Sequence, residues 1–431
     1  MYPALNPTAR PDLAQALAHP ILVVGGDGFL GSHIIDQLLA FASTGTRIHV
    51  LDLQQRYPDR DHVTYHIGSL LDHDFIARTL ADNAITTVIH TASPPHGKSR
   101  DFYWAVNVEG TRTLVQACLK SGVRRLVYTS SASVVFNGAS VYNANEDLLY
   151  CKSPLDAYTE TKAAAEDLVL KSNNLPTTPG HPLLTVAIRP SGIFGPRDGQ
   201  AIPGFLDALA TGKSHMVIGD GTNLCSFTYV ENVAYAHLLA AAALTTATAP
   251  AAGAAFFVTN AETIPFWDFP KRLIRALLPA DDPRAVNASS RHIPRWLLLP
   301  VAYIVAGLAA LVNLAGFHWD PLFTPLRIRL TTATRTFDCS RARAVLGYEP
   351  KISMTEGIER SVQWIKSVDR WRSLWAGEKI TTLSFGGSGK GDDDDAAPTT
   401  DAFEMVEKPV AVALAASEGS IKRRAVAGRD E

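Results

Sequence analysis

A tyrosine and a lysine stand four residues apart in the segment YTETK, at Tyr158 and Lys162. The pattern over residues 156–172 predicts a helix, so the two side chains should lie on one face and about one turn apart. A tyrosine whose pKa is about 10 is a poor base at neutral pH, but a nearby ammonium group favours its phenolate form. The pair makes Tyr158 a candidate general base, although an ordinary surface helix can carry the same spacing without function.

Polar residues upstream could complete such a site. Ser130 is the last residue of the strand-like run RLVYTS, and Ser131 follows it directly. Both therefore stand at the carboxyl edge of the predicted sheet, where ligands bind in parallel sheets. One of these hydroxyls could hold a substrate oxygen against Tyr158, and both could equally be turn residues. The amide of Asn107 could hold a water molecule that connects to Lys162, or it could be a buried group satisfied by its own hydrogen bonds.

The segment VVGGDGFLGSHI places Gly25, Gly28 and Gly31 directly after a predicted strand and at the start of a predicted helix. Glycines at this spacing permit a tight turn, let backbone N–H groups approach a pyrophosphate, and let helix and strand pack closely. Asp52 ends the second strand, where a carboxylate binds ribose hydroxyls and repels a 2′-phosphate, so the pattern favours NAD over NADP. The alternatives are a structural turn and an ordinary carboxylate, and the nearby Arg56 keeps NADP open.

These candidates require a scaffold in which strands alternate with helices. The apolar pattern predicts strands at 21–24, 47–52, 63–67, 86–92, 125–130 and 183–188, with helices near 29–42, 72–82, 105–121 and 156–172. This order is typical of an α/β fold, a Rossmann-type doubly wound parallel sheet. Four regions are expected: an N-terminal arm over 1–19, a cofactor-binding core over 20–190, a smaller mixed α/β substrate lobe over 191–366, and a disordered low-complexity tail over 367–431.

The composition argues against several other classes of protein. The 431 residues include 40 Lys and Arg and 42 Asp and Glu, for a net charge of -2, which gives a nucleic-acid role no support. No disulfide framework is expected, because the cysteines are scattered along the sequence. No metal centre is expected either, because the cysteines form no ligand pairs and His90 is interpreted as a core residue. The cysteines are Cys118, Cys151, Cys225 and Cys339. The charges and prolines near the N-terminus predict no cleaved export signal.

Taken together, the glycine loop, Asp52, Asn107, the SSA around Ser131 and the YTETK segment resemble the extended short-chain dehydrogenase/reductase superfamily. The phrases VVGGDGFLG, LVYTSSASVVFNG, LDAYTETKAAAE and SFTYVENVAYAHLLA are similar to its 3β-hydroxysteroid dehydrogenase group, most closely to the members that act in sterol C-4 demethylation. The resemblance covers roughly residues 20–365, including the segment FDCSRARAVLGYEPKISMTEGI.

The resemblance implies roles for individual residues. Ser131 is implied as the catalytic serine, Tyr158 as the base, Lys162 as the group that lowers its pKa, and Asn107 as the fourth member. The implied cofactor contacts are Gly25, Gly28, Phe29, Leu30, Gly31, Asp52, Ser69, Leu70, Thr91, Ala92, Tyr158, Lys162 and Pro190. Related enzymes often carry Asp at the position of Ser69, so the adenine contact differs here.

The implied reaction is NAD-dependent oxidation of the 3β-hydroxyl of a 4α-carboxysterol to the ketone, with loss of CO2 from C4. Three alternatives are a 3β-hydroxysteroid dehydrogenase/isomerase, a specialised terpenoid dehydrogenase, and a non-catalytic NAD-binding scaffold on a membrane. A homodimer and contacts with other sterol-demethylation enzymes are further implications, as is a place on the cytosolic face of the endoplasmic reticulum membrane.

Residues 296–316 carry no charge and are long enough, as a helix, to cross a hydrocarbon layer of roughly 30 Å. A single crossing would separate residues 337–358 from the fold that they resemble, so we expect a monotopic insertion that lies in one leaflet. Pro300, near the start of the segment, disfavours an unbroken helix and allows a bend. The arginines expected to contact headgroups are Arg291, Arg295, Arg327 and Arg329. The alternative is a buried helix of the substrate lobe.

Overall fold

A computed structural model describes residues 11–41, 46–57, 60–286, 291–314, 317, 319, 321 and 323–368. The predicted arm is therefore described only from residue 11 onward. Of the predicted tail, residues 369–431 lie outside the described residues.

The strands in this part of the chain are β1 (Pro20–Val24), β2 (Arg47–Asp52), β3 (Val63–Ile67), β4 (Thr87–His90), β5 (Arg125–Thr129), β6 (Val141–Ala144), β7 (Leu184–Pro190), β8 (Ile193–Phe194), β9 (Met216–Ile218), β10 (Leu224–Cys225), β11 (Thr228–Tyr229), β12 (Ala254–Val258), β13 (Ile264–Pro265), β14 (Arg291–Ile293) and β15 (Arg335–Phe337).

The α-helices are α1 (Pro11–Ala16), α2 (Phe29–Phe41), α3 (His73–Asp82), α4 (Arg100–Tyr103), α5 (Thr111–Ser121), α6 (Ala157–Lys171), α7 (Ala201–Ala210), α8 (Val230–Ala243), α9 (Asp268–Leu277), α10 (Pro283–Val286), α11 (Arg295–Leu314), α12 (Pro325–Thr332), α13 (Ser340–Leu346) and α14 (Met354–Ser367). A π-helical segment (Trp104–Gly110) joins α4 to α5, and a short 3-10 helix (Ala132–Val135) follows β5.

Seven parallel strands form the central sheet, in the order β12-β7-β5-β4-β1-β2-β3. The order reverses between β1 and β4, which is the pattern of a doubly wound sheet, so the predicted fold class is confirmed. Strands β2 and β3 have the predicted bounds, and the ends of the other predicted strands differ by at most two residues.

Each face of the sheet is covered by helices, because buried parallel strands place apolar side chains on both sides. Ile21 and Val23 of β1 belong to a core with side chains of α2 and α8, whereas Leu22 and Val24 belong to a core with α3, α5 and α6. Alternate residues of one strand therefore anchor opposite layers. Both layers fix the carboxyl edge, where the predicted site residues stand.

The chain returns to this sheet well after residue 190. Strand β12 pairs with β7 over five residues, from Ala254 opposite Val186 to Val258 opposite Pro190. Helix α8 packs against α2 on the same face of the sheet. Segments on both sides of the predicted boundary at residue 190 thus build one sheet. The short strands β6, β10, β13 and β15 form a separate four-stranded sheet.

The helical region predicted over residues 105–121 begins five residues earlier than expected. Ser99 caps α4 by accepting a hydrogen bond from the backbone N–H of Phe102 at 3.2 Å. The capping serine supplies an acceptor for the first turn, and this local signal sets the start of the helix. The π-helical segment then carries Asn107 before α5 begins.

Residues 296–314 of the apolar segment lie in the unbroken helix α11, so the expectation that Pro300 disfavours an unbroken helix is wrong. Residues 315 and 316 lie outside the described residues. Pro300 stands near the start of the helix, and its missing N–H removes only the hydrogen bond to the Trp296 carbonyl. The helix buries Ala302 against Ile218 and Ile328, and most of its large side chains are exposed. It is the one helix of the described residues with the length and composition to cross a membrane.

Candidate active site

The two serines at the end of β5 have different environments. Ser130 is buried, and its hydroxyl has no hydrogen-bond partner among the described residues. Ser131 is partly exposed and caps the 3-10 helix, where its Oγ accepts from the backbone N–H of Ser133 at 3.1 Å and from the Ser133 hydroxyl at 2.9 Å. Only the Ser131 hydroxyl of this pair is therefore open to a ligand.

Tyr158 lies in the first turn of α6, which begins because Asp156 accepts a hydrogen bond from the Thr159 N–H at 2.8 Å. The tyrosine ring contacts His96 edge-on, with 4.9 Å between ring centroids, and Tyr103 with 6.1 Å. Burial raises the pKa of Tyr158 to about 12, and a hydrogen bond with Ser131 partly offsets this rise. The phenol is thus protonated at neutral pH unless a positive charge is brought close to it.

Lys162 lies one turn after Tyr158 and is only 2 % exposed. Its ammonium group donates to the Thr129 carbonyl and lies 4.5 Å from the centroid of the Tyr128 ring. Burial lowers the pKa of Lys162 to about 7, and the negative charge of Glu166 acts in the opposite direction. The lysine is thereby held at the carboxyl end of β5, beside the serine.

A histidine that the sequence reasoning did not single out supports the same strand. His237 of α8 is fully buried and lies 2.7 Å from the Thr129 Oγ1 through its Nε2 atom. Its Nδ1 atom lies 2.8 Å from the Val233 carbonyl, and burial lowers its pKa to about 4. His237 is a neutral hydrogen-bonding residue beneath the site. His237 and Thr129 are 108 positions apart in the sequence, so no local pattern indicates their contact.

Asn107 lies beside the start of α6, in the π-helical segment. Its amide Nδ2 donates to Thr161 Oγ1 at 3.0 Å, and its Oδ1 accepts from the Ser93 hydroxyl at 3.2 Å. Both ends of the amide are thus engaged with protein groups, and Thr161 directly precedes Lys162. The four residues predicted as catalytic are assembled around β5 and the first turns of α6.

The glycine loop between β1 and α2 is closely packed. Gly25 has a φ of +79°, and a Cβ atom there would lie 2.7 Å from the Ala92 backbone. A Cβ atom at Gly31 would lie 2.1 Å from the Gly25 carbonyl oxygen, so only glycine fits. At Gly28 the nearest atom would be 3.2 Å away, again the Gly25 carbonyl oxygen. The outer side of Gly28 is therefore open, beside the N-terminus of α2.

Two carboxyl groups meet beside this loop, that of the buried Asp27 and that of the half-buried Asp52, of which the sequence predicted only Asp52. Asp52 Oδ2 accepts the backbone N–H of Asp27 at 3.0 Å, and its Oδ1 accepts the N–H of Leu53 at 2.8 Å. Asp27 Oδ2 in turn accepts the N–H of Arg56 at 2.5 Å. Burial raises the pKa of both carboxyl groups. A charged residue inside a glycine loop was the available signal for Asp27.

The other predicted cofactor contacts lie along the same edge of the sheet. Thr91 and Ala92 follow β4, and the Thr91 hydroxyl donates to the Val24 carbonyl at 2.9 Å. Ser69 and Leu70 follow β3, and Pro190 ends β7. Phe29 and Leu30 begin α2, where the first N–H groups of a helix have no partner within the helix. The described residues contain no group of three His, Cys, Asp or Glu side chains placed to hold a metal ion.

The comparisons with known proteins agree with this architecture. A family model described as the 3-beta hydroxysteroid dehydrogenase/isomerase family matches residues 22–285. The chain is 40% identical over 342 residues to the sterol-4-alpha-carboxylate 3-dehydrogenase, decarboxylating, of Mus musculus, covering 79% of this chain and 89% of that protein. It is 38% identical over 360 residues to the enzyme of that name from Saccharomyces cerevisiae, covering 80% of this chain and 97% of the relative.

Solved structures share the fold at low sequence identity. The epimerase Mth375 from Methanothermobacter thermautotrophicus superposes with a TM-score of 0.63 at 19% identity, over 86% of this chain and 98% of that one. The dTDP-glucose 4,6-dehydratase of Bacillus anthracis, solved in complex with NAD, gives a TM-score of 0.60 at 17% identity, over 83% and 99%. The sheet and the surrounding helices are thus those of a known enzyme architecture.

Proposed function

The chain belongs to the 3-beta hydroxysteroid dehydrogenase/isomerase family, and on this premise we propose that it oxidises the 3β-hydroxyl of a 4α-carboxysterol with NAD and that the product loses CO2 from C4. Family membership makes it an oxidoreductase acting on CH–OH groups. The observation that carries the proposal is the assembly of Ser131, Tyr158 and Lys162 at the sheet edge beside the glycine loop.

The residues of the glycine loop fit a dinucleotide. The open side of Gly28 and the N–H groups at the start of α2 suit a pyrophosphate, since both the N–H groups and the helix dipole favour negative charge. Asp52 lies at the end of β2, where it would accept hydrogen bonds from ribose hydroxyls and repel a 2′-phosphate. Asp27 places a second carboxyl group in the same loop. NAD, when bound, would accept the hydride and add a positive charge to the site.

Tyr158 acts as the base in this proposal, and Ser131 holds the substrate oxygen. The phenol takes the proton of the 3β-hydroxyl as the C3–H bond breaks, so the oxygen becomes a carbonyl. The pKa of about 12 is too high for this step, and a positive charge beside the phenol lowers it. Lys162 supplies such a charge when protonated. Asn107 fixes the start of α6 through Thr161 and thereby orients both residues.

The loss of CO2 needs no further residue. Oxidation at C3 places a ketone β to the carboxylate, and the C4–carboxylate bond can then break with its electron pair moving to the C3 oxygen. Hydrogen bonds from Ser131 and Tyr158 to that oxygen stabilise the enolate as negative charge develops on it. C4 then takes a proton to give the 3-ketosterol.

We further propose that α11 lies in one leaflet of the endoplasmic reticulum membrane, on the cytosolic face. Four large apolar residues of the helix are mostly exposed: Trp296 at 75%, Ile304 at 64%, Leu311 at 63% and Leu314 at 84%. Contact of these side chains with water is unfavourable, whereas contact with lipid acyl chains is favourable. The helix also packs on α12 of the same lobe, so a full crossing would divide one packed unit. A sterol could then enter the site without crossing water.

The test of the reaction uses detergent-purified protein with NAD. A 4α-carboxy-3β-hydroxysterol and its 4-unsubstituted counterpart are offered separately, while NADH and CO2 are followed in parallel. NADH and CO2 from the carboxysterol alone support the proposal. Turnover of the unsubstituted sterol without CO2 moves the activity to a 3β-hydroxysteroid dehydrogenase, and absence of turnover with both, despite NAD binding, contradicts the proposal.

The membrane placement is tested separately by flotation with phosphatidylcholine vesicles. Replacement of Ile304 and Leu311 by Glu should abolish flotation while the rate with detergent-dispersed sterol is retained. Flotation of the variant at the wild-type level would contradict the placement. A homodimer, or assembly with other enzymes of sterol demethylation, stays a prediction and is tested by measuring the mass of the solubilised protein.

A further inference from the structure

The substrate class proposed above carries a carboxylate next to the reacting carbon. A carboxylate that leaves water for a sterol pocket requires a cationic partner, because an unpaired charge in an apolar site is costly. The proposed roles of Ser131, Tyr158 and Lys162 engage the C3 oxygen and leave this second group without a partner.

Arg335 of β15 lies against the segment that follows the serine. Its guanidinium carbon is 5.7 Å from the centroid of the Phe136 ring. Phe136 ends the 3-10 helix that Ser131 caps, and its N–H donates to the Ser133 carbonyl at 2.8 Å.

The strand that carries Arg335 is firmly placed. Phe337 of β15 stacks on Phe257 with 4.9 Å between ring centroids, and both rings belong to the cluster that contains Ala132, Val134 and Val135 of the 3-10 helix. A packed strand, rather than a loop, therefore holds the arginine against Phe136, five residues after Ser131.

The charge of Arg335 has no anionic partner in the described part of the chain. Its Nε atom is buried without a hydrogen bond, and its guanidinium forms no ion pair with any described carboxylate. Nearby arginines are engaged differently. Arg189 is paired with Glu166 at 2.5 Å, and Arg329 donates to the Tyr303 hydroxyl at 3.0 Å. A half-buried guanidinium of this kind is suited to a bidentate contact with a carboxylate.

We propose that Arg335 binds the C4 carboxylate of the substrate and so selects a 4-carboxylated sterol over an unsubstituted one, an inference that rests on the proposed function. The guanidinium stabilises the carboxylate charge, which disappears when the C4–carboxylate bond breaks. It therefore strengthens substrate binding and does not accelerate the loss of CO2. Loss of the guanidinium should therefore raise KM for the carboxysterol, while kcat stays near its wild-type value.

The experiment compares the wild type with Arg335→Gln and Arg335→Lys in detergent. The 4α-carboxysterol is used as substrate, and the 4-unsubstituted sterol is used as substrate or, if it is not oxidised, as a competitive inhibitor. Arg335→Gln should raise KM for the carboxysterol by about 10- to 100-fold, as expected for a lost charge-assisted contact, and should leave the affinity for the unsubstituted sterol unchanged. Arg335→Lys should recover part of the loss.

The matched control is Arg341→Gln, because the Arg341 guanidinium also lies over a phenylalanine ring, at 5.6 Å from that of Phe256, but is exposed. This variant should keep both affinities. NAD affinity and the melting temperature of each variant show whether the fold is retained, and Arg335→Lys remains the test if the Gln variant does not fold.

The outcomes separate the inference from its premise. A wild-type protein that does not oxidise the carboxysterol overturns both. If the wild type is active, an unchanged KM in Arg335→Gln overturns the inference alone. An equal loss of affinity for the two sterols also overturns it, because a structural defect does not distinguish between ligands that differ only at C4.

Discussion

Lys162 should make the stability of the cofactor-free protein depend on pH. Burial lowers its pKa from the ordinary value of 10.5 to about 7, so folding disfavours the charged form. The penalty is fully present below pH 7 and disappears as the pH rises towards 10.5. Stability therefore rises with pH in this window, because the unfolded chain binds the proton more tightly than the folded one.

The size of the effect follows from the two pKa values. With 10.5 in the unfolded chain and about 7 in the folded one, the penalty is about 4 kcal/mol at pH 7 and about 2 kcal/mol at pH 9. Lys162→Met removes the ionisable group and with it this dependence. It also removes the hydrogen bond to the Thr129 carbonyl, but that loss, of about 1–3 kcal/mol, does not change with pH. The difference in unfolding free energy between the two proteins should thus change by about 2 kcal/mol from pH 7 to pH 9.

The assay is urea-induced unfolding of cofactor-free protein at pH 6, 7, 8 and 9, followed by tryptophan fluorescence. The control is Lys171→Met, a lysine of the same helix that is 75% exposed and paired with Asp167 at 2.7 Å. An exposed pair of this kind contributes about 0–1 kcal/mol, so this variant should follow the wild type at every pH. Curves for Lys162→Met and wild type that stay parallel from pH 6 to pH 9 would refute the reasoning, since they would show that burial does not shift the pKa of Lys162.

Three further predictions concern the cofactor and the base. Tyr158→Phe should abolish turnover but keep NAD affinity, because it removes only the phenolic oxygen. A rate assay and a fluorescence titration with NAD check this, and retained turnover would exclude the role of Tyr158 as the base. Asp52→Asn should raise the ratio of kcat/KM with NADP to kcat/KM with NAD by about 10-fold or more, since one charge that repels a 2′-phosphate is lost. An unchanged ratio argues against a role of Asp52 in excluding NADP. Gly31→Ala should prevent folding or abolish NAD binding, because its Cβ would meet the Gly25 carbonyl at 2.1 Å; normal affinity measured by the same titration would contradict the described loop.

Local signals allowed much of the core to be predicted. Strands β2 and β3 have the predicted bounds because their apolar runs are bordered by polar turn residues. The glycine loop was predicted in its place because strand, loop and helix follow one another within about 20 residues. The four predicted catalytic positions are brought together because the serine and the tyrosine both stand near the carboxyl edge of the sheet, and their roles stay proposals.

Contacts between distant segments could not be read in the same way. His237 reaches Thr129 across 108 residues, and Asp27 receives the N–H of Arg56 across 29. Neither pairing has a periodic pattern. The partner of β7 is likewise set by tertiary structure, since Ala254–Val258 is a five-residue apolar run that could have belonged to any layer. The continuity of α11 through Pro300 was missed because a single lost hydrogen bond is tolerated near a helix start.

The late arrival of β12 sets a constraint on how the protein is made. Strand β7 is buried along all seven residues in the finished sheet, yet its neighbour β12 is synthesised about 70 residues later. At ~5–20 residues per second, the ribosome leaves the outer edge of β7 unpaired for roughly 3 to 14 s. An open apolar edge is a template for pairing with other chains, so this interval is when a nascent chain is most exposed to aggregation. A fragment that stops at residue 190 would keep that edge open permanently and should require chaperone binding to stay in solution.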